Sequence, residues 1–247
     1  MTARHSFRAR PAAWLLAAAL ASAVPMAQAA DINTLNRLTQ PQFRLLSEDL
    51  GAALSFKPLI PSEPLGITGF DIGVAVTGTD LKNAQLLSLA TNGESIPTIL
   101  PVPTLRAHKG LPLNIDVGVS YMQVPDTNIK MWGGELRWAI LEGSTVMPAV
   151  ALRGGFTTSS GVDQLKVRTT SADISISKGF VMFTPYAGVG QVWVKSTPQG
   201  VPTLTEESFT QTKAFVGLNV NLGVNLAVEA DSTGGVISYG LKLGVRF

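Results

Sequence analysis

The chain ends in Ile237-Ser238-Tyr239-Gly240-Leu241-Lys242-Leu243-Gly244-Val245-Arg246-Phe247. Tyr239, Leu241, Leu243, Val245 and Phe247 share one face, and Gly240, Lys242, Gly244 and Arg246 share the other. A period of two is the period of a β-strand, and unlike faces mean that the strand separates two environments. The same alternation recurs upstream. It runs through Phe70-Asp71-Ile72-Gly73-Val74-Ala75-Val76-Thr77, through residues 113–121, through Val216-Gly217-Leu218-Asn219-Val220-Asn221-Leu222, and through residues 224–229. A soluble sandwich would bury the apolar face, whereas a membrane barrel shows that face to lipid and turns the other inward. The second face is rich in Gly, Ala, Ser and Asn, which suits a curved interior. Segments of about 10 residues cross a bilayer when tilted.

Composition agrees with the barrel. Of 247 residues only 15% are charged, while 45% are hydrophobic, which excludes ordinary disorder. There is no Cys, so disulfide scaffolds, thiolate zinc sites, iron–sulfur clusters and a Cys nucleophile are excluded. The formal charge of +2 belongs to the N-terminus. Arg4, Arg8 and Arg10 precede a short apolar stretch, 12–24, and then Ala27-Gln28-Ala29. This order reads as a signal peptide over 1–29, cleaved after Ala29 or alternatively Ala30. Its removal leaves 16 basic and 17 acidic residues, and no basic patch for nucleic acid.

The last strand resembles the terminal strand of Gram-negative outer-membrane β-barrels. The resemblance implies that Tyr239, Leu241, Leu243, Val245 and Phe247 form the signal read by the barrel-assembly machinery. It also implies handling by periplasmic chaperones, an outer-membrane location and outer-membrane lipid around the wall. The expected fold is therefore an all-β, antiparallel transmembrane barrel of 10–12 strands after a cleaved signal peptide. The expected organisation is an N-terminal segment at 30–60 and the barrel at 61–247.

Strands are expected at 50–57, 67–78, 98–107, 111–123, 129–141, 145–157, 171–178, 182–196, 208–222, 223–230 and 235–247. That is an odd number, and bacterial barrels have even ones. Residues 31–57 decide the count. Pro41 can open a short helix that carries Phe43, Leu46, Leu50 and Leu54 at helical spacing. As a plug or periplasmic cap the segment leaves ten strands, and as two strands it makes twelve. Tight turns are expected at 107–111, 142–144, 178–180 and near Gly223, with longer polar connections at 79–97, 157–170 and 196–207. Leu81, Leu86, Leu87 and Leu89 make 79–97 apolar enough to fold inward, to form a short helix or to pack on the rim. Short turns are periplasmic in such barrels, so Phe247 is placed on that side.

Parity sends Asp71, Asp116, Glu135, Arg137, Arg153, Asp173, Lys213, Glu229, Lys242 and Arg246 into the lumen. They either line a water-filled pore or pair across a narrow barrel and close it. Tyr121, Trp132, Trp138 and Tyr186 are expected in the interfacial aromatic girdles, and Trp193 falls on lumen parity. The one mature histidine, His108, reads as a solvated turn residue between two bases. Its surroundings do not resemble the His motifs of the outer-membrane phospholipase or lipid A deacylase families. The inward carboxylates are scattered over different strands, and the Gly-rich stretches lack a phosphate-loop pattern. No catalytic residue, cofactor or metal is expected. The reading taken is a channel or passive transporter for small or hydrophobic solutes, the latter in the manner of fatty-acid-transporter-like barrels. The alternatives are a closed structural or adhesive barrel and, behind both, a barrel enzyme.

Overall fold

Ten antiparallel strands follow one another around a ring, and the first pairs with the last. The structure, a computed structural model, describes residues 31–91, 96–124 and 129–247. The expected signal peptide and its cleavage site lie outside those residues. The strands are β1 (Phe70–Asp80), β2 (Ile99–Leu111), β3 (Ile115–Gln123), β4 (Lys130–Glu142), β5 (Ala149–Ser160), β6 (Leu165–Ser177), β7 (Phe183–Pro198), β8 (Glu207–Asn221), β9 (Asn225–Thr233) and β10 (Val236–Arg246). Among the described residues two α-helices accompany them, α1 (Gln40–Leu54) and α2 (Ala84–Ala90). The β1–β10 seam runs from Asp71↔Arg246 to Asp80↔Ile237. Phe247 extends it, donating to the Phe70 carbonyl at 3.0 Å and accepting from the Phe70 N–H at 2.7 Å. Closure leaves no strand edge unpaired, which hydrocarbon surroundings demand.

Several expectations change. Residues 50–57 are not a strand. They complete α1 and begin an extended strap, 55–69, that runs down the lumen into β1. The helix forms because Pro41 sits in its first turn and Thr39 N–H donates to Gln42 Oε1 at 2.9 Å. Phe43, Leu46, Leu50 and Leu54 are its buried face. The strap cannot join the sheet, because Pro58, Pro61 and Pro64 have no N–H to give a ladder. Stretch 157–170 is not a long loop. β5 and β6 extend through it and leave a turn at 161–164. Its Thr and Ser are strand residues beyond the apolar belt, where neither face needs to be hydrophobic. The turn expected at 107–111 lies instead at Pro112–Asn114, where Leu113 and Asn114 take positive φ of 64° and 59°. Lys109-Gly110 resembles a turn, yet Gly110 is strand. A Cβ on it would stand 1.9 Å from the Gly66 carbonyl oxygen, so glycine is there to let the strap pass.

The mouth that carries connections 81–98 and 199–206 is sealed by an apolar core. Leu35, Leu38, Phe43, Leu46 and Leu50 from the N-terminal segment meet Leu81, Leu86 and Leu87 around α2. They also meet inward wall residues Leu100, Val102, Met122, Met131 and Val167. Leu89, grouped with these leucines in the sequence, is exposed.

Candidate functional site: a plugged lumen

Below the apolar seal the lumen is charged, and the strap lies among the charges. A chain with three prolines in eight residues offers more carbonyl acceptors than N–H donors. The wall answers that imbalance with cations. Arg106 donates to the Lys57 and Pro58 carbonyls at 2.6 and 2.7 Å. Lys213 donates to the Phe56 carbonyl at 2.6 Å. Arg137 reaches the Pro61 carbonyl and, at 3.4 Å, that of Glu63, which Arg246 also reaches at 3.4 Å. Three of the strap's N–H groups find wall acceptors. Leu59 N–H donates to Glu229 Oε2 at 2.8 Å, Leu65 N–H to Asp116 Oδ1 at 3.0 Å, and Ser62 N–H to Ser177 Oγ at 3.0 Å. Leu59 holds a positive φ of 51°, and Gly240 opposite it leaves room for its side chain.

The strap also brings a charge of its own. Lys57 Nζ lies 2.5 Å from Asp231 Oδ1 and 2.9 Å from the Ala52 carbonyl. Around it the wall pairs internally. Lys242 lies 2.5 Å from Asp71, Arg137 lies 2.7 Å from Asp116, and Arg153 lies 3.3 Å from Glu135 and 4.0 Å from Asp173. Burial makes these contacts costly, because two charges removed from water hold together only with good geometry and satisfied neighbours. The Asp116–Arg137 pair has both, whereas Arg153, Glu135 and Asp173 lie close together without a hydrogen bond. A void of about 10 Å³ beside Phe56, Lys57 and Arg106 has room for about one water molecule.

Nine of the ten expected lumen residues are buried inside, and Arg246 is half-buried at the strap's exit. They neither line an open space nor simply pair with one another, since several hold the strap. Parity reasoning missed Lys57, Arg106 and Asp231. Arg106 and Asp231 follow the inward alternation of their strands, but Arg106 fell at the end of the strand expected at 98–107 and Asp231 just beyond the one expected at 223–230. His108 is a correction. It is 2% exposed, on β2, with Nε2 3.4 Å from Glu135 Oε1. The strand runs one turn further than expected and carries it inside. Tyr186 is a second correction. It is 3% exposed and donates to Glu229 Oε2 at 2.9 Å, so it braces the same carboxylate that holds the strap. Trp193 is the mirror error, facing outward at 45% exposure. One signal could have found Tyr186. Gly217 stands opposite it in the register, and a Cβ there would meet the tyrosine ring at 2.3 Å.

At the sealed mouth, Asp49 of α1 accepts from Asn83 N–H at 2.7 Å. Burial pushes its carboxyl above the usual carboxylate range, against the pull of the Asn83 donors. Among the described residues no group of three or more His, Cys, Asp or Glu is placed to hold a metal ion.

The outer face is the reverse of the inner one. Ile72, Val74, Leu105, Val119, Leu136, Leu152, Ile174, Val189 and Val216 are all exposed on it. Tyr121 and Trp132 meet in a tilted contact at 4.7 Å near the sealed mouth, and Trp138, Phe70 and Phe247 lie at the other end. A wall that is apolar outside, charged inside and rimmed by aromatics at both ends fits a bilayer, not water. The chain is a β-barrel of the outer-membrane type. No family model matches it, and no curated protein matches it. Solved structures similar to it are outer-membrane barrels. The N-terminal β-barrel domain of Pseudomonas aeruginosa OprF is 14% identical, with 74% of this chain and 99% of that one covered and a TM-score of 0.38. The KdgM porin is 8% identical, with 72% and 99% covered and a TM-score of 0.37. Neisserial surface protein A is 10% identical, with 72% and 94% covered and a TM-score of 0.31. At such identities the likeness concerns the barrel architecture alone.

Proposed function

We propose that this chain is an outer-membrane barrel held shut by its own N-terminal segment, an anchored surface platform rather than an open pore. One observation carries the reading. Strap 55–69 spans the lumen with its carbonyls and N–H groups bound by wall side chains. Of the charges that parity assigned to a pore, Asp116, Arg137, Lys213, Glu229 and Arg246 are engaged in that binding, while Asp71 and Lys242, and Arg153 with Glu135 and Asp173, pair within the wall. In this reading the end with connections 112–114, 143–148, 178–182 and 222–224 is periplasmic, because the longest connections, 81–98 and 199–206, lie at the other end. The apolar seal and α2 then face outward from the cell. Outer-membrane lipid, the barrel-assembly machinery and periplasmic chaperones are the partners this reading carries.

The test is planar-bilayer conductance of the refolded full chain. The expected result is no steady single-channel current at moderate voltage, and a stable conductance would overturn the closed reading. A second reading is gated passage of small solutes past a displaced strap. It is favoured by the polar character of the grip below the seal, since water can replace polar contacts step by step. Under that reading, current appears only when the strap is free to move. A disulfide between Ser62→Cys and Ser175→Cys, whose hydroxyls lie 2.9 Å apart, abolishes it.

A further inference from the structure

The outward face of the barrel carries a basic cluster at the sealed mouth. Arg168 on β6 stands directly opposite Lys195 on β7, and Lys166 stands two residues further toward the rim. Lys130 occupies the same end of β4. Arg168, Lys195 and Lys130 are exposed and Lys166 is half-exposed. Side chains directly opposite in a sheet start about 5 Å apart at Cβ, and like charges there repel. Glu206 answers Lys195 at 2.9 Å and also attracts Arg168, which offsets part of their repulsion. Its carboxylate is one charge among four cations, so the cluster keeps a positive excess.

A depression lies below it on the same two strands. Gly154 pairs with Ala172, and Ala172 with Gln191, making a low floor between β5 and β7. Trp193, Leu152, Ile174 and Val189 stand around this floor, bordering a shallow, open groove of about 640 Å³. Arg168 and Ala172 are both outward on β6 and four residues apart, about 13 Å along the strand. Trp193 lies between the two levels, beside Thr170. Charge, then aromatic ring, then apolar groove is the order of a lipid molecule from headgroup to chain.

We propose that this face binds a phosphate-bearing lipid of the outer leaflet, with its phosphate on Arg168, Lys195 and Lys166 and an acyl chain in the groove over Gly154 and Ala172. The inference rests on the membrane reading above, with the sealed mouth outward. The phosphate would relieve the Arg168–Lys195 repulsion, and the chain would fill a dent that the wall otherwise leaves in the apolar belt.

The test uses the refolded full chain in a neutral detergent, with native mass spectrometry counting bound molecules. Three probes are titrated: bisphosphorylated lipid A, the same lipid stripped of its phosphates, and inorganic phosphate alone. The expected result is a one-to-one adduct with the phosphorylated lipid and weaker binding of the stripped one. Arg168→Gln with Lys195→Gln should lower the first affinity roughly thirtyfold, since each cation near a lipid surface contributes about a factor of five. Ala172→Trp, which fills the groove, should weaken both lipids alike and leave the phosphate preference. Equal binding of the two lipids, or parent-like binding by either variant, would overturn the proposal. So would the same adduct formed by inorganic phosphate, which would indicate a free-anion site. Comparison of the two lipids needs no variant and holds even if a substitution impairs folding. Insertion into phosphatidylcholine vesicles is scored separately. Failure to insert overturns the membrane reading itself, whereas insertion without phosphate preference overturns only this inference.

Discussion

Replacing Asp116 with Asn separates a dry lumen from a wet one. Arg137 donates to Asp116 Oδ2 through Nη2 at 2.7 Å and Nε at 3.1 Å, and both side chains are fully buried. The other carboxylate oxygen accepts from the strap at Leu65 N–H. Asn keeps the shape but removes the charge. With its single oxygen on Leu65 N–H, its amide NH2 faces the guanidinium, which stays buried and charged with the Pro61 and Glu63 carbonyls as acceptors. Removing one partner of a buried pair costs about 3–5 kcal/mol. If the lumen were water-filled, the same pair would be solvent-screened and worth about 0–1 kcal/mol. The assay is equilibrium urea unfolding of the refolded protein in vesicles, run as a cycle with Arg137→Met and the double variant. Each single variant should lose about 3–5 kcal/mol, and the double should lose well under their sum, because it strands no charge. Single losses below about 1 kcal/mol that simply add would refute the plugged lumen.

Four further outcomes are expected. Tyr186→Phe leaves Glu229 Oε2 with Leu59 N–H as its remaining donor and should cost about 1–2 kcal/mol in the same unfolding assay. A Cβ at position 118 would stand 2.3 Å from His108 Cδ2, so Gly118→Val should lose about 1–3 kcal/mol by overpacking. His108→Ala beside it should restore part of that loss. The folded-state pKa of Asp49 is raised, so the native state binds more protons than the unfolded one just above the ordinary carboxylate pKa, and stability falls as pH rises through that window. Asp49→Asn should flatten that part of the stability–pH profile. Deleting Phe247, whose backbone closes on Phe70 and whose ring lies 5.8 Å from the Phe70 ring, should reduce the amount of assembled barrel recovered from outer membranes.

The barrel was legible because lipid enforces a strict rule on every second residue. Lys242 and Arg246 go inward while Leu241, Leu243 and Val245 go outward, and that rhythm fixes parity along most strands. It failed where the rule relaxes. At 157–170 the outward residues Thr158, Ser160, Lys166, Arg168 and Thr170 are polar because the strands rise beyond the apolar belt, and the inward Leu165 and Val167 are too few to make a visible alternation. At 183–190 the outward residues include Ala187, and Tyr186 goes inward into space left by Gly217, so an aromatic residue there looked like a girdle member. Placing it outside forced Trp193 inside, and one error made the other. His108 was misplaced because Gly110 mimics a turn, when its missing side chain is a clearance for the strap. The strap was the least legible part. An extended, proline-broken segment has no periodicity, and its partners are remote in sequence, from Arg106, 48 residues from Pro58, to Arg246, 183 residues from Glu63.

Strap 55–69 enters beneath the sealed mouth and becomes β1 at the opposite end, so the closed sheet is a ring and the N-terminal segment is its thread. Such an arrangement has an order of assembly built into it. Either the seam between β1 and β10 shuts around a thread already laid against the wall, or an unfolded leading end is drawn through a finished ring. Laying the thread first pairs its carbonyls with Arg106, Arg137 and Lys213 before those cations are enclosed. Once Asp71 has met Arg246 and Asp80 has met Ile237, the thread is captive. It can leave endwise, through the mouth that α1 blocks, but not sideways without unzipping the seam.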